Sequence, residues 1–354
     1  LCIIGLISGF LYIRIIGLEL KFIFVTLKEL SEEFSPEKFK EWKSTFNGPY
    51  NDKESPLRTA SHIMKVNSYL FTRTKDEKYF NRIYELYNLI VEMTHDLSTF
   101  EFRKKEGKDS SNGLIGPAWL MEGLISALKA TNDTKFKECA IKVYQSCAFD
   151  KENLTWTFMN DHGKYVIDPT FNHQLWFATQ AMKLGLDEGR AFIQHFIPKI
   201  KIDNGIIFHL TPLVTGWSSE GFRQKIRYYK YKHSLREKSL SYNAFNLHAL
   251  CACYISSPDS KVWKENNFHS LRSLEFSKEV FETLLKSKYG FTYNPQAPAY
   301  LLFGKLFDTN IYDSYKASHE LVFSGFTTHE SNQDDILLKI RNYEYIDLLE
   351  LIDD

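Results

Sequence analysis

Proline and glycine are scarce in this sequence, and their scarcity limits the choice of fold. The 354 residues include 10 prolines and 17 glycines, too few for the many tight turns of a sandwich or barrel of short strands. An excess of charge is missing as well, because 44 basic residues balance 44 acidic ones. Proteins that bind nucleic acid through their overall charge are normally basic, so we predict no nucleic-acid partner.

Cysteine is also sparse, and the familiar cofactor motifs are missing. The 5 cysteines are odd in number and scattered, which does not suit a disulfide framework, so we interpret them as buried thiols in a reducing compartment. The sequence contains no GxGxxG, Walker, HExxH or GxSxG pattern. His319-Glu320 and His329-Glu330 lack a further ligand at helical spacing. We therefore expect no metal and no nucleotide cofactor.

Only one long apolar run occurs, at the N-terminal end. Residues 1–13 carry no charge, and this stretch is shorter than the roughly 20 residues that span a bilayer. We predict that residues 1–30 are a truncated, packed helix or the remnant of a signal or anchor, and that residues 31–354 form a single domain. The predicted location is cytoplasmic, with membrane association through the N-terminal segment as the alternative.

A short polar turn recurs along the chain and indicates a helical repeat. Residues 74–79, TKDEKY, resemble residues 131–136, TNDTKF, and a weaker copy follows at residues 185–188. Each copy lies between two stretches with apolar residues at helical spacing, so the unit is helix, turn, helix. Residues 242–255 and 298–307 predict two further buried helices. The repeat predicts an all-α fold of about six such units, arranged as a closed ring or an open solenoid.

The links between the predicted helix pairs are long and rich in aromatic and polar residues. Alternating stretches at residues 155–158 and 163–166 predict short β-hairpins within them. Each link leads into a helix start, and long links on one side of a scaffold commonly carry function. We therefore predict a cleft where the links meet the helix N-termini. The links lie at residues 98–113, 150–168, 201–239 and 289–297.

Two segments in and after these links resemble a known family. Residues 112–119 read NGLIGPAW, and residues 168–178 read DPTFNHQLWFA. They resemble the six-hairpin (α/α)6 toroids of carbohydrate enzymes, in particular the AglQ-like proteins of glycan-assembly clusters and, more distantly, unsaturated glucuronyl and rhamnogalacturonyl hydrolases. Residues 242–247 and 289–295 are similar to that group as well. The resemblance covers roughly residues 55–305.

The resemblance implies a closed (α/α)6 toroid with its site at the N-termini of the inner helices. The glucuronyl hydrolases use aspartates near those N-termini to protonate and hydrate an unsaturated uronic ring, and Asp168 occupies such a position. A second aspartate is missing from the helix that follows Gly116, where Glu122, nearly two turns in, is the remaining candidate. Asp168 before Pro169 is also a typical helix N-cap, which is a purely structural alternative.

Other residues suit the binding of a sugar. His173 follows Asp168 by five residues, in the predicted second turn, and is expected to assist catalysis or orient the substrate. Residues 223–238 hold seven cations and one acid, which suits an anionic ligand, with a solvated loop as the alternative. Aromatic rings pack on the C–H faces of sugars, and polar groups bind the hydroxyls. The predicted binding residues are Asn112, Trp119, Asn172, Trp176, Arg227, Tyr242, Asn246, Tyr293 and Asn294.

The leading functional prediction is hydrolysis of an acidic oligosaccharide or polysaccharide in a surface-glycan pathway. Epimerisation and lyase elimination on the same ring are alternatives, because a fold does not specify its reaction. A non-catalytic glycan-binding or assembly protein is a further alternative, since the second aspartate is absent. The last alternative is an open solenoid that scaffolds proteins, which a closed ring with a deep polar cleft would exclude.

Overall fold

A computed structural model shows a chain of paired helices joined by short strands. The structure describes residues 23–43, 45–47, 52–95, 97, 100–104, 106–160, 162–212, 236–264, 271, 283, 297–309 and 339–353. Residues 1–22 of the predicted N-terminal segment, and residues 223–235 of the predicted basic stretch, lie outside this part. The other predicted helices and hairpins fall largely within it.

The helices agree with the predicted repeat. Helix α1 covers residues 23–33, residues 236–241 are also helical, and short 3-10 helices occur at Pro36–Glu41, Ile197–Lys199, Lys261–Lys264 and Arg341–Glu344. The helices Asn243–Ser256 and Ala297–Phe307 confirm the buried helices predicted at residues 242–255 and 298–307. The longer helices are α2 (Pro56–Thr74), α3 (Glu77–Met93), α4 (Ile115–Thr131), α5 (Thr134–Gln145), α6 (Phe171–Lys183), α7 (Asp187–Phe196), α8 (Asn243–Ser256), α9 (Ala297–Phe307) and α10 (Tyr345–Asp353).

Two kinds of helix alternate from α2 to α8, and burial distinguishes them. In α2 every residue from 57 to 70 is buried, and in α8 every residue from 243 to 253. A helix that is buried on all sides lies inside a fold, whereas a surface helix buries one stripe. Helix α3 is of the second kind, because only a stripe that includes Tyr79, Ile83 and Leu86 is buried. Helices such as α2 and α8 therefore form an inner layer, and α3, α5 and α7 an outer one.

The inner helices close into a ring. Helix α2 packs on α4, α4 on α6, α6 on α8, α8 on α9, and α9 on α10. The turn Arg341–Glu344 before α10 packs back on α2, and Lys65 of α2 forms an ion pair of 3.0 Å with Asp347 of α10. The fold is thus the predicted (α/α)6 toroid. Because the ring is closed, the open-solenoid alternative is wrong.

The repeated turn ends one helix and starts the next. Lys75 ends α2 with a φ of 56°, and Asn132 ends α4 with a φ of 58°. Asp76 and Asp133 then cap the following helices, each accepting a hydrogen bond of 3.0 Å from the N–H two residues further on. Such a cap satisfies an N–H that has no partner within the helix. The third copy differs, because the N-cap of α7 is Leu186, which makes no side-chain bond.

The cap at Asp76 makes a testable contribution to stability. We expect Asp76→Ala to lower the free energy of unfolding by about 1 kcal/mol, the usual cost of losing a helix N-cap. Urea unfolding of both proteins measures the difference. Asp187→Ala is the control, because Asp187 lies in the first turn of α7 without capping it. Equal losses in the two variants would contradict the role given to the cap.

The described residues include three small antiparallel sheets, which lie between the helices. The β5–β6 hairpin, in which Phe158 pairs with Val166, confirms the strands predicted at residues 155–158 and 163–166. Strand β6 ends immediately before Asp168, so this hairpin leads the chain directly to the candidate carboxylate. The sheets are β1 (Phe46–Asn47), β2 (Asp52–Glu54) and β3 (Arg103–Lys104); β4 (Ala148–Asp150), β5 (Thr155–Met159) and β6 (Tyr165–Ile167); and β7 (Ile202–Asp203) and β8 (Ile206–Ile207).

Helix α1 crosses the boundary predicted at residue 30. Leu27 and Leu30 are fully buried in the core. Arg82 of α3 holds α1 through two hydrogen bonds of 2.9 and 2.8 Å to Glu32. The described part of the predicted N-terminal segment therefore packs against the ring as one of its helices. Within the described ranges, no helix is both long enough and apolar enough to cross a membrane.

Candidate active site

A cavity of about 410 Å³ lies at the N-terminal ends of the inner helices. Its wall combines the starts of α4, α6 and α8, the turn before α10, and residues of the links. This is the position at which the sequence predicts the cleft. The wall residues are Arg103, Lys108, Asp109, Asn112, Gly113, Ile115, Trp119, Phe158, Asp168, Pro169, Thr170, Asn172, His173, His209, Lys238, Tyr242, Phe245 and Arg341.

Asp168 is buried in this wall, and its carboxylate takes part in three hydrogen bonds. Oδ1 accepts the N–H of Thr170 at 2.9 Å. Oδ2 accepts the N–H of Leu114 at 3.0 Å and bonds Nδ1 of His173 at 2.8 Å. Burial alone would raise the pKa of Asp168, but His173 and the two N–H groups outweigh burial and lower the pKa below its usual value. The side chain is therefore an ionised carboxylate at neutral pH.

The structure corrects two details of the predicted helix start. Helix α6 begins at Phe171 with Thr170 as its N-cap, so Asp168 is not the cap of this helix. The carboxylate instead links the starts of two inner helices, because Leu114 is the N-cap residue of α4. His173 lies in the first turn of α6 and not in the second. This early position brings the imidazole back to the carboxylate.

Gly113 allows the main chain to pass directly against this carboxylate. Its φ is +64°, and a Cβ at this position would lie 2.3 Å from Oδ2 of Asp168 and 3.3 Å from Nδ1 of His173. The N–H of Gly113 donates to Asp109 at 2.7 Å, and Asp109 is held by Arg103 at 2.6 Å. An ion pair on the cavity wall therefore fixes the loop that faces the Asp168–His173 pair.

His209 lies beside the same pair. The N–H of Phe171 donates to the carbonyl of His209 at 2.9 Å, and the N–H of His209 donates to the hydroxyl of Ser239 at 2.9 Å. Burial and, to a smaller extent, the positive charge of Lys238 lower the pKa of His209 to about 3. The imidazole is therefore neutral at physiological pH. Its ring packs on Tyr242, with 5.1 Å between the ring centres.

Six of the predicted site residues line the cavity together. Trp119 is 4% exposed, and the guanidinium of Arg58 lies 4.1 Å from the centre of its ring. In the described part of the chain, neither Nε1 of Trp119 nor Oδ1 of Asn172 has a hydrogen-bond partner. Both groups are thus available to a ligand. The six residues are Asn112, Trp119, Asp168, Asn172, His173 and Tyr242, while Arg227, Tyr293 and Asn294 lie outside the described residues.

Three other predicted residues lie beneath the wall. Glu122 forms an ion pair of 2.8 Å with Lys65 and accepts a hydrogen bond of 3.3 Å from Nε1 of Trp176. Asn246 is fully buried. The cavity wall includes none of the three residues Glu122, Trp176 and Asn246. The expectation that Glu122 could face Asp168 as a second carboxylate is therefore corrected, because its charge is balanced by Lys65 in the interior.

Several wall residues carry no sequence prediction of their own. Gly113 had a local signal, because an Asn-Gly dipeptide often marks a turn with positive φ. His209 and Arg341 had none, since they reach the cavity from segments that only the ring brings near Asp168. Phe158 and Phe245 read as ordinary hydrophobic residues of a strand and a helix. Within the described ranges, no group of three or more His, Cys, Asp or Glu side chains is arranged to hold a metal ion.

Positive side chains outnumber negative ones on the cavity wall. Asp109 is paired with Arg103, and Lys108 forms an ion pair of 2.7 Å with Asp52 outside the wall. A cleft lined by an excess of one charge attracts ligands of the opposite charge. Three of the four cations also have a carboxylate partner, since Arg341 is bonded to Glu344. The cations of the wall are Arg103, Lys108, Lys238 and Arg341, and its carboxylates are Asp109 and Asp168.

The ring is closed, and its cavity lies at the N-termini of the inner helices. This arrangement places the chain in the (α/α)6 toroid fold class, and solved structures have a similar fold. An unsaturated glucuronyl hydrolase specific for heparin is 10% identical with a TM-score of 0.53, over 93% of this chain and 94% of that chain. The GH76 alpha-mannanase of Bacteroides thetaiotaomicron is 11% identical with a TM-score of 0.52, over 94% and 97%. Cellobiose 2-epimerase from Spirochaeta thermophila is 12% identical with a TM-score of 0.50, over 88% and 90%. Such low identities establish the fold alone.

A relative is also found by sequence. The chain is 28% identical over 275 residues to archaeal glycosylation protein Q of Haloferax volcanii, which corresponds to 70% of this chain and 74% of that protein. This similarity confirms the resemblance seen in residues 112–119 and 168–178. No protein-family model matches the chain.

Proposed function

We propose that this protein is a carbohydrate-active enzyme in the assembly of a surface glycan, and that it exchanges a proton with an anionic oligosaccharide or polysaccharide. The observation that carries the proposal is the hydrogen-bonded Asp168–His173 pair on the wall of a basic, aromatic cavity. The glycosylation-protein relative supports the glycan pathway. The fold supports a sugar as the ligand, since the three solved neighbours bear the names of carbohydrate enzymes.

The pair divides the proton chemistry between its two members. Asp168 is ionised and accepts the proton of Nδ1, so it orients His173 and stabilises the imidazolium when that forms. The opposite nitrogen, Nε2, is then the atom that takes up or releases a proton. The side chain of His173 is 22% exposed, against 4% for Asp168. We therefore assign proton transfer to His173 and orientation to Asp168, the reverse of the roles expected from sequence.

The rest of the wall supplies the contacts that a sugar requires. The rings of Trp119, Tyr242 and Phe245 offer apolar surface for the C–H face of a pyranose. The amides of Asn112 and Asn172 can bond its hydroxyl groups. Together with the positive charge of the wall, these residues suit a sugar that carries an acidic group.

Hydrolysis of a glycosidic bond is the reaction that we propose first. A glycosidase needs an acid to protonate the leaving oxygen, and two carboxyl groups usually share the acid and base roles. Neither carboxylate of the described wall suits the acid role, because Asp168 is ionised and Asp109 is paired with Arg103. The imidazolium of His173 is therefore the proposed acid. It protonates the leaving oxygen as the glycosidic C–O bond breaks, and the water that adds to the anomeric carbon returns a proton to the imidazole.

Epimerisation is the second candidate, and the same observation favours it. An epimerase needs a base that removes a proton from carbon and an acid that returns one, and it does not need a protonated carboxyl group. An imidazole oriented by a carboxylate can act as the base of this exchange. His173 would then remove the proton from carbon, and a second group on the opposite face of that carbon would return one.

One experiment separates these reactions. The protein is incubated with uronic-acid oligosaccharides in deuterated water, and the products are analysed by mass spectrometry. Hydrolysis gives fragments that together have gained one water, epimerisation gives an intact chain with deuterium on carbon, and elimination gives an unsaturated fragment without added water. We expect His173→Gln and Asp168→Asn to lower turnover by about 10²-fold or more, the usual contribution of acid–base catalysis.

His195→Gln is the matched control for these variants. His195 is bonded to Lys199 at 2.8 Å on an exposed part of the structure, away from the cavity. Full turnover in His173→Gln would contradict the assignment of proton transfer to His173. A glycan that binds to the native protein without any product would contradict the enzyme proposal and favour a glycan-binding or assembly protein.

A further inference from the structure

We propose that Arg341 determines specificity by binding the carboxylate of a uronic acid residue in the substrate. This inference rests on the proposed function and names the acidic group that the cavity recognises. Arg341 begins the turn Arg341–Glu344, the last element before α10. Its side chain nevertheless lines the same cavity as Asp168 and His173. Closure of the ring brings this distant part of the sequence to the site.

The guanidinium of Arg341 is buried, and only part of its hydrogen-bonding capacity is used. The residue is 1% exposed. Its Nη2 donates to Glu344, and its central carbon lies 4.0 Å from the centre of the Phe245 ring. Among the residues that the structure describes, Nε and Nη1 have no hydrogen-bond partner. Buried donors without partners are unfavourable, and an anion in the cavity would satisfy them.

A row of rings connects Arg341 with the catalytic pair. Phe245 stacks on Tyr242 with 5.8 Å between the ring centres, and Tyr242 meets His209 at 5.1 Å. His209 lies close enough to Asp168 and His173 for their charges to affect its pKa. A sugar that lies along these rings has its acidic group near Arg341 and its reacting atoms near His173. The row therefore relates the anion site to the reaction.

Among the two arginines of the wall, Arg341 is the one with donors to spare. Arg103 donates from Nε to the carbonyl of Asp109 at 2.8 Å and from Nη2 to the carboxylate of Asp109 at 2.6 Å. It is therefore committed to the loop that holds Gly113. A guanidinium donates strong, charge-assisted hydrogen bonds to a carboxylate. Nε and Nη1 lie on different edges of its plane, so either of them can donate to a carboxylate oxygen in the cavity. These spare donors are the reason to assign a uronate carboxylate to Arg341.

Equilibrium binding tests this assignment. The full chain is titrated with a uronic-acid oligosaccharide and with its methyl ester, which has nearly the same shape without the charge. We expect the native protein to bind the acid more tightly than the ester. In Arg341→Gln this preference should fall by about 10- to 100-fold, as for a lost hydrogen bond to a charged group. In Arg341→Lys, which keeps the charge without the planar donors, the loss should be smaller.

Two further variants control for structural effects. Arg82→Gln also removes a positive charge that is paired with a glutamate, Glu32, but it lies outside the cavity, so the preference should be unchanged. Arg341→Gln leaves Glu344 without its partner, so the double variant Arg341→Gln/Glu344→Gln is measured beside it. Folding of each variant is verified by circular dichroism before the titration.

The outcomes separate this inference from the proposed function. An unchanged preference for the acid in folded Arg341→Gln or in the double variant would overturn the assignment. A sulfated oligosaccharide that binds the native protein more tightly than the uronate would overturn the carboxylate as its ligand. Turnover reports on the proposed function alone. Asp168→Asn should lose turnover but keep the native ratio of the affinities for the acid and for its methyl ester. If Asp168→Asn retains turnover, the catalytic role proposed for the Asp168–His173 pair is wrong. The ratio of affinities for acid and ester in Arg341→Gln still decides the role of Arg341.

Discussion

Replacing Gly113 with alanine is expected to lower turnover by about 10²-fold, because a displacement of about 1 Å in a catalytic group costs that much. The new Cβ would lie 2.3 Å from Oδ2 of Asp168 and 3.3 Å from Nδ1 of His173. An oxygen cannot remain that close to a methyl carbon, so the carboxylate must move. Its hydrogen bonds to Leu114 and His173 then weaken, and the imidazole loses its orientation. Turnover of the two proteins on the same oligosaccharide measures the effect.

The matched control is Gly163→Ala. Gly163 has a φ of +68°, close to the +64° of Gly113, and no atom in the described part of the chain lies within 4 Å of the position of its Cβ. The left-handed conformation costs an alanine about 1–2 kcal/mol at either position. Backbone strain is thus similar in the two variants, and only Gly113→Ala displaces Asp168. A comparable loss of turnover in Gly163→Ala would show that the displacement is not the cause.

Replacing Lys65 with methionine is expected to lower the free energy of unfolding by about 3–5 kcal/mol, the usual effect of breaking a buried ion pair. Lys65 bonds Glu122 at 2.8 Å and Asp347 at 3.0 Å, and Asp347 bonds His248 at 2.8 Å. These four side chains join α2, α4, α8 and α10 in the interior. Without Lys65, two carboxylates remain buried with no cation between them. Urea unfolding of both proteins measures the loss.

The pKa shifts of this network follow from the same contacts. Burial alone would lower the pKa of Lys65, but the charges of Asp347 and Glu122 raise it above its usual value. Burial alone would raise the pKa of Asp347, but Lys65 and His248 hold it well below its usual value. Both groups are therefore charged at neutral pH. The stabilisation from Asp347 is complete above its unfolded pKa of about 3.9 and is lost as the pH falls through its lower folded pKa.

Lys129→Met is the control for the buried lysine. Lys129 pairs with Glu350 at 3.1 Å between α4 and α10, but the two side chains are 64% and 37% exposed. Exposed pairs contribute little, so the change should stay within about 0.5 kcal/mol. The triple variant Lys65→Met/Glu122→Gln/Asp347→Asn should recover much of the loss, because no buried charge is left unpaired. If Lys65→Met is no less stable than Lys129→Met, the network does not hold the ring together.

The parts of the site that sequence could predict are those that depend on near neighbours. Asp168 and His173 are five residues apart at a helix start, so the sequence places both near the same helix N-terminus, although their contact depends on α6 beginning at Phe171. Trp119 and Tyr242 lie at the starts of α4 and α8, where the predicted links enter helices. Their place on the cavity wall was foreseeable from the same argument.

The amino-acid sequence by itself determined the all-α class, the repeating helix pairs and the ends of those pairs. These features depend on the spacing of apolar residues and on caps such as Asp76, which act within a few positions along the chain. Only the tertiary structure decided that Glu122 pairs with Lys65 and that Arg341 joins the cavity wall. Both results require closure of the ring, which brings the end of the chain against α2, and no local pattern encodes that contact.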